Sequence, residues 1–152
     1  KSHDNKDYLE MTFEKKKSSS GSIFVDYRNS NNFTDLNTII YGHNMKNGSM
    51  FHALNSFDNE EFYKEHSSVW ILTPEKDTEY QIIAAYNTTD SSNAYTLSFN
   101  SLTDYEKYLQ DISLKSLYKT ADYDKHKSTI TLSTCRGRAH GTSRFVLHLQ
   151  EK

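Results

Sequence analysis

Cysteine occurs once in these 152 residues, which excludes an internal disulfide and a zinc site built from several thiolates. Proline also occurs once and glycine five times, so Asn, Ser and Asp have to make most of the turns. Neither sign of charge dominates. The 18 Lys and Arg against 20 Asp and Glu leave a formal charge of -2, without the basic footprint that a nucleic-acid partner requires. No apolar run approaches the roughly 18 residues of a membrane span. No signal-peptide core is present either, so any targeting segment is expected outside this stretch. What the chain does hold is aromatic. Apolar side chains make up only 35% of it, and 11 Tyr, 8 Phe and 1 Trp supply the bulk for the core of one ordinary domain.

Periodicity divides the chain into short strands with helical interruptions. Ser22–Tyr27, Thr38–Tyr41, Val69–Thr73, Tyr80–Tyr86, Tyr95–Phe99, Thr129–Thr134 and Arg144–Leu149 are β-branched, aromatic or alternating, and each predicts a strand. Met50, Phe51, Leu54 and Phe57 share one helical face, and a second short helix is expected over Asn59–His66 with Asp58 as its cap. From Ser101 to Leu117 the period changes: Leu102, Tyr105, Leu109, Ile112 and Leu117 predict one longer helix, capped at Thr103 or Asp104. Lys15-Lys16-Lys17 before three serines predicts an exposed, solvated turn. About seven strands and one substantial helix predict a mostly β barrel or sandwich.

Cys135 is where chemistry is to be sought. A lone cysteine is most often a small buried hydrophobe without a chemical role, and that reading stays open. Against it, Cys135 follows the polar pair Ser133-Thr134 and precedes Arg136, Arg138, His140 and Arg144. A thiol at a strand end beside cations is where a lowered pKa and an accessible thiolate are expected. A thiolate nucleophile also needs a proton-transfer partner and a holder for an oxyanion. His3 lies in a polar lead-in, His52, His66 and His126 fall among charges on the surface, and His148 is expected half-exposed on the closing strand. His140 is near the thiol in sequence. His43 ends a hydrophobic strand in Tyr41-Gly42-His43-Asn44, where the glycine permits close backbone approach and a turn can present the imidazole to a cleft. This ranks His43 ahead of His140 by a narrow margin.

Three blocks together carry a resemblance. They are Gly21-Ser22-Ile23-Phe24-Val25-Asp26-Tyr27-Arg28, the long run Ile39-Ile40-Tyr41-Gly42-His43-Asn44-Met45-Lys46-Asn47-Gly48-Ser49-Met50-Phe51, and Thr131-Leu132-Ser133-Thr134-Cys135 with Arg144 nine residues on. In this order they resemble a class B sortase, a cysteine transpeptidase of Gram-positive bacteria, and the likeness extends over nearly the whole chain. The helix at Ser101 to Leu117 resembles the insertion that separates class B from the smaller class A enzymes. The resemblance implies a closed β-barrel of about seven to eight strands, with short helices and one longer helix inserted before the cysteine strand. It also implies a single catalytic domain over residues 1–152. An N-terminal membrane anchor, a first helical segment and a first strand would lie outside this sequence.

The activity implied is cleavage of a C-terminal sorting motif (NPxTN-like or PxTG-like) after its Thr, through a thioacyl intermediate. The chain is then joined to a peptidoglycan amine at the outer face of the cell membrane. By motif, Cys135 is the nucleophile, His43 the acid and base, and Arg144 the oxyanion or substrate holder, with the backbone N–H of Arg136 as a second donor. Asn5, Leu9, Tyr95 and Ser133 match groove-lining positions, and the Ser101 to Leu117 helix is expected as a groove wall. No cofactor, metal or nucleic-acid partner is implied, and a monomer is expected. The sequence departs from the family in one place: Arg136-Gly137-Arg138 stands where an acidic residue usually follows the cysteine. Two rivals stay open on the residues alone, a hydrolytic peptidase using Cys135 and His140, and a non-catalytic β-barrel surface binding module with a buried thiol.

Overall fold

Six of the strand-forming runs become strands and join into one sheet. The computed structural model describes residues 4–135 and 141–152, and of Cys135 the backbone alone. The strands are β1 (Phe24–Val25), β2 (Asn37–Gly42), β3 (Ser68–Leu72), β4 (Asp77–Thr89), β5 (Thr129–Cys135) and β6 (Ser143–Glu151), in the order β1-β2-β5-β6-β4-β3. All neighbouring pairs are antiparallel except β2 and β5, which run parallel. The result is a curled half-barrel, mostly β as expected, and a longer helix precedes the cysteine strand. Among the described residues β1 and β3 are the two ends of the sheet and do not pair with one another, so the strand count is six rather than seven or eight.

The run that does not become a strand is Tyr95–Phe99. A 3-10 turn occupies Asn93–Tyr95, and the extended residues after it are tied to the sheet by a side chain instead of a ladder. Asn37 Nδ2 donates to the carbonyls of Ala94 (3.3 Å) and Thr96 (2.8 Å) and to the Tyr108 hydroxyl (3.0 Å). A β-type run satisfied this way has no ladder to propagate.

Both faces of the sheet are covered, and the sequence shows why. In β6, Phe145, Leu147 and Leu149 point to one face and Val146 to the other, the period-2 pattern of a strand. Phe145, Leu147 and Leu149 join Ile82, Ala85, Ile130 and Leu132, and are capped by Leu54 and Phe57 of the 3-10 segment His52–Asp58. Val146 joins Ile83, Ala84 and Tyr86 beneath α2 (Leu102–Leu114), which lays Tyr105, Tyr108, Leu109 and Ile112 on them. The register of β4 on β6 shifts between Ile82 and Ala84. Residues 82–86 are therefore continuously buried, which accounts for an apolar run without alternation.

The helix caps differ from those expected. Ser101 caps α2, its hydroxyl accepting the Asp104 N–H at 3.1 Å, rather than Thr103 or Asp104. Asn59 caps α1 (Glu60–Glu65), its side chain accepting the Glu61 N–H at 2.8 Å, rather than Asp58. In both cases the residue immediately before the first helical one is extended, as a cap requires.

His148 is fully buried rather than half-exposed. Its partners fix its chemistry. Asn37 Nδ2 faces two carbonyls, so Oδ1 is the acceptor for the Thr131 hydroxyl at 2.7 Å. With its one proton given to Asn37, Thr131 Oγ1 accepts from His148 Nδ1–H at 2.9 Å. Bare Nε2 then accepts from the Tyr86 hydroxyl at 3.0 Å. Burial, with a smaller contribution from the charge of Lys115, pushes the His148 pKa down to about 3, so this imidazole is neutral. It belongs to the packing between sheet and α2.

Candidate active site

The parallel β2–β5 pair and the antiparallel β5–β6 pair bring three distant segments to one edge of the sheet. Gly42 lies opposite Thr134, so His43 leaves β2 beside the end of β5. Cys135 lies opposite Arg144. In sequence His43 and Cys135 are 92 positions apart; across the sheet they stand at the ends of adjacent strands. This edge opens into a cleft of about 1070 Å³ whose lining includes His43, Arg144, Tyr95, Ser133, Asn5 and Leu9. His52 also lines the cleft, its Nδ1 bonded to Asn44 Oδ1 at 2.7 Å.

Gly42 is required by packing. A Cβ there would stand 2.6 Å from the Phe51 ring, closer than carbon atoms approach. Phe51 folds back because its N–H donates to the His43 carbonyl at 2.8 Å, closing the 43–51 loop. The His43 side chain is held from the opposite side. Its Nε2 lies 2.7 Å from the Leu9 carbonyl, which can only accept, so Nε2 carries a proton and Nδ1 is the nitrogen free to exchange one.

Arg144 is held through its guanidinium. Nη1 donates to the carbonyls of Gly141 (2.6 Å) and Ser143 (2.9 Å), and Nη2 donates to Asp90 Oδ2 at 3.2 Å. The Tyr95 hydroxyl meets Ser133 Oγ at 2.8 Å. Its ring stacks on Tyr41 at 6.1 Å between centroids, Tyr41 meets Phe24 at 5.4 Å, and Phe24 meets Tyr8 at 5.9 Å. An aromatic row thus runs along the cleft from the N-terminal segment to the Asn93–Tyr95 turn.

Asn5 lines the cleft but is also a brace. Its Nδ2 donates to Asp26 at 2.9 Å and its Oδ1 accepts the Tyr27 N–H at 2.9 Å. Asp26 is fully buried. Burial alone would push its carboxyl up, but hydrogen bonds from the Arg28 side chain and backbone, Asn5 and Tyr41 outweigh this and hold it at about 2. The ionised carboxylate thus clamps the N-terminal segment that carries the Leu9 carbonyl. Burial beside this carboxylate in turn drives the Tyr41 pKa far up.

The expected site residues therefore sort as follows. His43, Arg144, Tyr95, Ser133, Leu9 and Asn5 are brought to one cleft, and the backbone of Cys135 stands between His43 and Arg144 on the sheet. The Cys135 side chain, the Arg136 backbone donor, Arg138 and the rival base His140 lie outside the described residues. None of α2 lines the cleft; that helix covers the back of the sheet, and the wall expected of it is supplied by Tyr95. His52, His66 and His126 are exposed. Asp90, Asp26 and Asn37 escaped the sequence reading. No spacing links Asp90 to Arg144 or Asn37 to the carbonyls that flank Tyr95; strand pairing brings the first two together, and the Asn37 side chain's own hydrogen bonds make the second link. Asp26 lies within Gly21–Arg28, and an acidic residue inside an aromatic strand run was the available signal. Among the described residues, no group of three or more His, Cys, Asp or Glu is placed to hold a metal ion, and no helix is long and apolar enough to cross a membrane.

Residues 7–152 match the sortase domain family. Sortase B of Listeria monocytogenes is 41% identical over 138 residues, covering 88% of this chain and 55% of that protein. Sortase B of Staphylococcus aureus is 31% identical over 144 residues, covering 94% and 59%. The chain thus spans somewhat over half the length of these relatives. A solved Staphylococcus aureus sortase B–substrate complex superposes with a TM-score of 0.90 at 29% identity, over 99% of this chain and 71% of that one.

Proposed function

The chain belongs to the sortase family, and on that premise we propose that it is a class B cysteine transpeptidase acting on a sorting-motif peptide. The observation that carries this reading is the strand register: His43 follows the Gly42–Thr134 pair, and Arg144 is opposite Cys135. The register puts the backbone of Cys135 between the strands that lead to His43 and Arg144, both of which line the cleft, and these are residue types that acyl transfer uses. The relative solved as a substrate complex supports a peptide as the ligand.

In this proposal the Cys135 thiolate attacks the carbonyl after the motif's Thr. The oxyanion is held by the Arg144 guanidinium and the Arg136 backbone N–H. A guanidinium suits the task because it stays charged and presents donors in a plane. The C–N bond breaks as His43 gives a proton to the leaving amine, and Nδ1 is the nitrogen placed to do so. The thioester remains on Cys135. A peptidoglycan amine then attacks it, loses a proton to His43 and releases the thiolate. Leu9, Asn5, Tyr95 and Ser133 line the path of an NPxTN-like or PxTG-like motif. The setting is the outer face of a Gram-positive membrane, with the single catalytic domain acting as a monomer.

A panel of fluorogenic sorting-motif peptides, with and without an oligoglycine or diaminopimelate-type amine, tests this with wild type and Cys135→Ala. Cysteine-dependent cleavage and an amine-dependent ligation product are expected. Cleavage that never yields ligated product would leave a hydrolytic peptidase. An inert panel combined with a Cys135 that resists a thiosulfonate reagent would leave a binding module.

A further inference from the structure

Arg144 carries five N–H donors, and the structure accounts for three. The two on Nη1 go to the carbonyls of Gly141 and Ser143, and one on Nη2 goes to Asp90. Among the described residues, Nε–H and the second Nη2–H have no acceptor. The two carbonyls belong to the segment that carries Arg144 itself and move with it. Asp90 is different, because it comes from the turn after β4 and is 54 positions away in sequence. Its own backbone is fixed to the same place: the Asp90 N–H donates to the Thr142 carbonyl at 3.0 Å, one step beyond the Thr89–Ser143 pair that ends the β4–β6 ladder.

We infer that Asp90 is a positioning residue, holding the Arg144 guanidinium by Nη2 so that its two uncommitted donors stay at the end of β5, where Cys135 stands. The role rests on the proposed transpeptidase reading and deepens it by naming what aims the oxyanion holder. An unheld arginine side chain samples many rotamers, and ordering it costs entropy; an acceptor on the turn after the neighbouring strand removes that cost before substrate arrives. The alternative is an ordinary surface ion pair that stabilises the fold slightly. The two differ in what they move. Side-chain exposures of 20% for Arg144 and 45% for Asp90 put the pair where ion pairs add little to stability. The consequence of losing it is therefore expected in kcat and not in melting temperature.

The test uses the full chain with Asp90→Ala, Asp90→Glu, Arg144→Ala and the double variant Asp90→Ala/Arg144→Ala. Asp90→Ala is expected to lower kcat roughly tenfold with KM and Tm unchanged, and Asp90→Glu to recover most of it. In the Arg144→Ala background Asp90→Ala is expected to add nothing, since the carboxylate acts only through the guanidinium. Wild-type kcat in Asp90→Ala, or a full additional loss in the double variant, overturns the inference. A second readout is independent of turnover: arginine side-chain NMR is expected to show Arg144 with restricted guanidinium rotation, lost in Asp90→Ala. An unchanged Arg144 signal overturns the positioning role even in an active enzyme. A wild type without Cys135-dependent turnover instead overturns the proposed function, and the NMR comparison still decides whether Asp90 holds Arg144.

Discussion

The Leu9 carbonyl that accepts from His43 is pressed from behind by Gly21. This glycine has φ +55, and a Cβ on it would lie 2.5 Å from the Tyr8 carbonyl oxygen and 2.6 Å from that of Leu9. Gly21→Ala is therefore expected to displace the histidine's acceptor and strain the turn at once, costing about 1 kcal/mol or more of stability. The His43 ring-nitrogen shifts read the first effect, and thermal melting reads the second. At the proposed reacting centre, Cys135→Ala should abolish cleavage and ligation and leave the fold intact. His43→Ala should be nearly as damaging, whereas His140→Ala should be mild. Arg144→Lys keeps the charge but loses the planar donors, so kcat is expected to fall roughly 10²-fold, within the range for a lost oxyanion donor, with KM little changed. Steady-state kinetics on one cleaved peptide decides among these.

Between elements, one side chain substitutes for a missing strand. Asn37 at the start of β2 spans from Thr131 on β5 to Ala94 and Thr96 and to Tyr108 on α2. Its removal takes the 2.8 Å donor from the Thr96 carbonyl and the acceptor from the Thr131 hydroxyl, while the Ala94 carbonyl keeps the Tyr108 hydroxyl at 3.3 Å. Asn37→Ala is expected to cost about 1–3 kcal/mol and to loosen the Asn93–Tyr95 turn that sets Tyr95 against Ser133. A lower Tm together with a raised KM for the peptide would show both consequences. The Ser101 hydroxyl at the head of α2 is a simpler case: Ser101→Ala should cost roughly 1 kcal/mol, read by thermal denaturation, without touching the cleft.

For the whole molecule, burying one neutral histidine between sheet and helix makes stability depend on pH. His148 titrates near 3 when folded against about 6.5 when unfolded. Between those values the unfolded chain binds the extra proton, so stability is retained above about pH 6.5 and is lost progressively as pH falls toward 3. The slope in that window approaches roughly 1.4 kcal/mol per pH unit. Asp26, held at about 2, adds its own loss in the same direction only below its ordinary value of 3.8. Chemical denaturation across pH 4 to 7 should show the slope in wild type and a much flatter line in His148→Gln, whose lower stability at pH 7 is a separate offset.

Strands in which one face is core, such as β6 with Phe145, Leu147 and Leu149, are visible in the chain because a half-buried strand must alternate. The α2 stripe is visible because a helix must place its apolar residues three and four apart. The block around His43 is visible because its residue types are tied to a short, local turn, and the one that ends at Cys135 because its β-branched run makes a strand. Tyr95–Phe99 has strand composition yet no strand, since a backbone finds its partners in space, and here Asn37 supplied them. His148 alternates correctly for β6 but reads as half-exposed, because whether a second layer covers that face depends on where α2 lands. The same holds for the site. Local sequence determines that a histidine ends one strand, a cysteine another, and that an arginine opens a third. That these meet, and that Asp90 from a fourth strand's turn grips the arginine, follows from pairing partners and register, which are contacts between segments too far apart for any sequence period to encode.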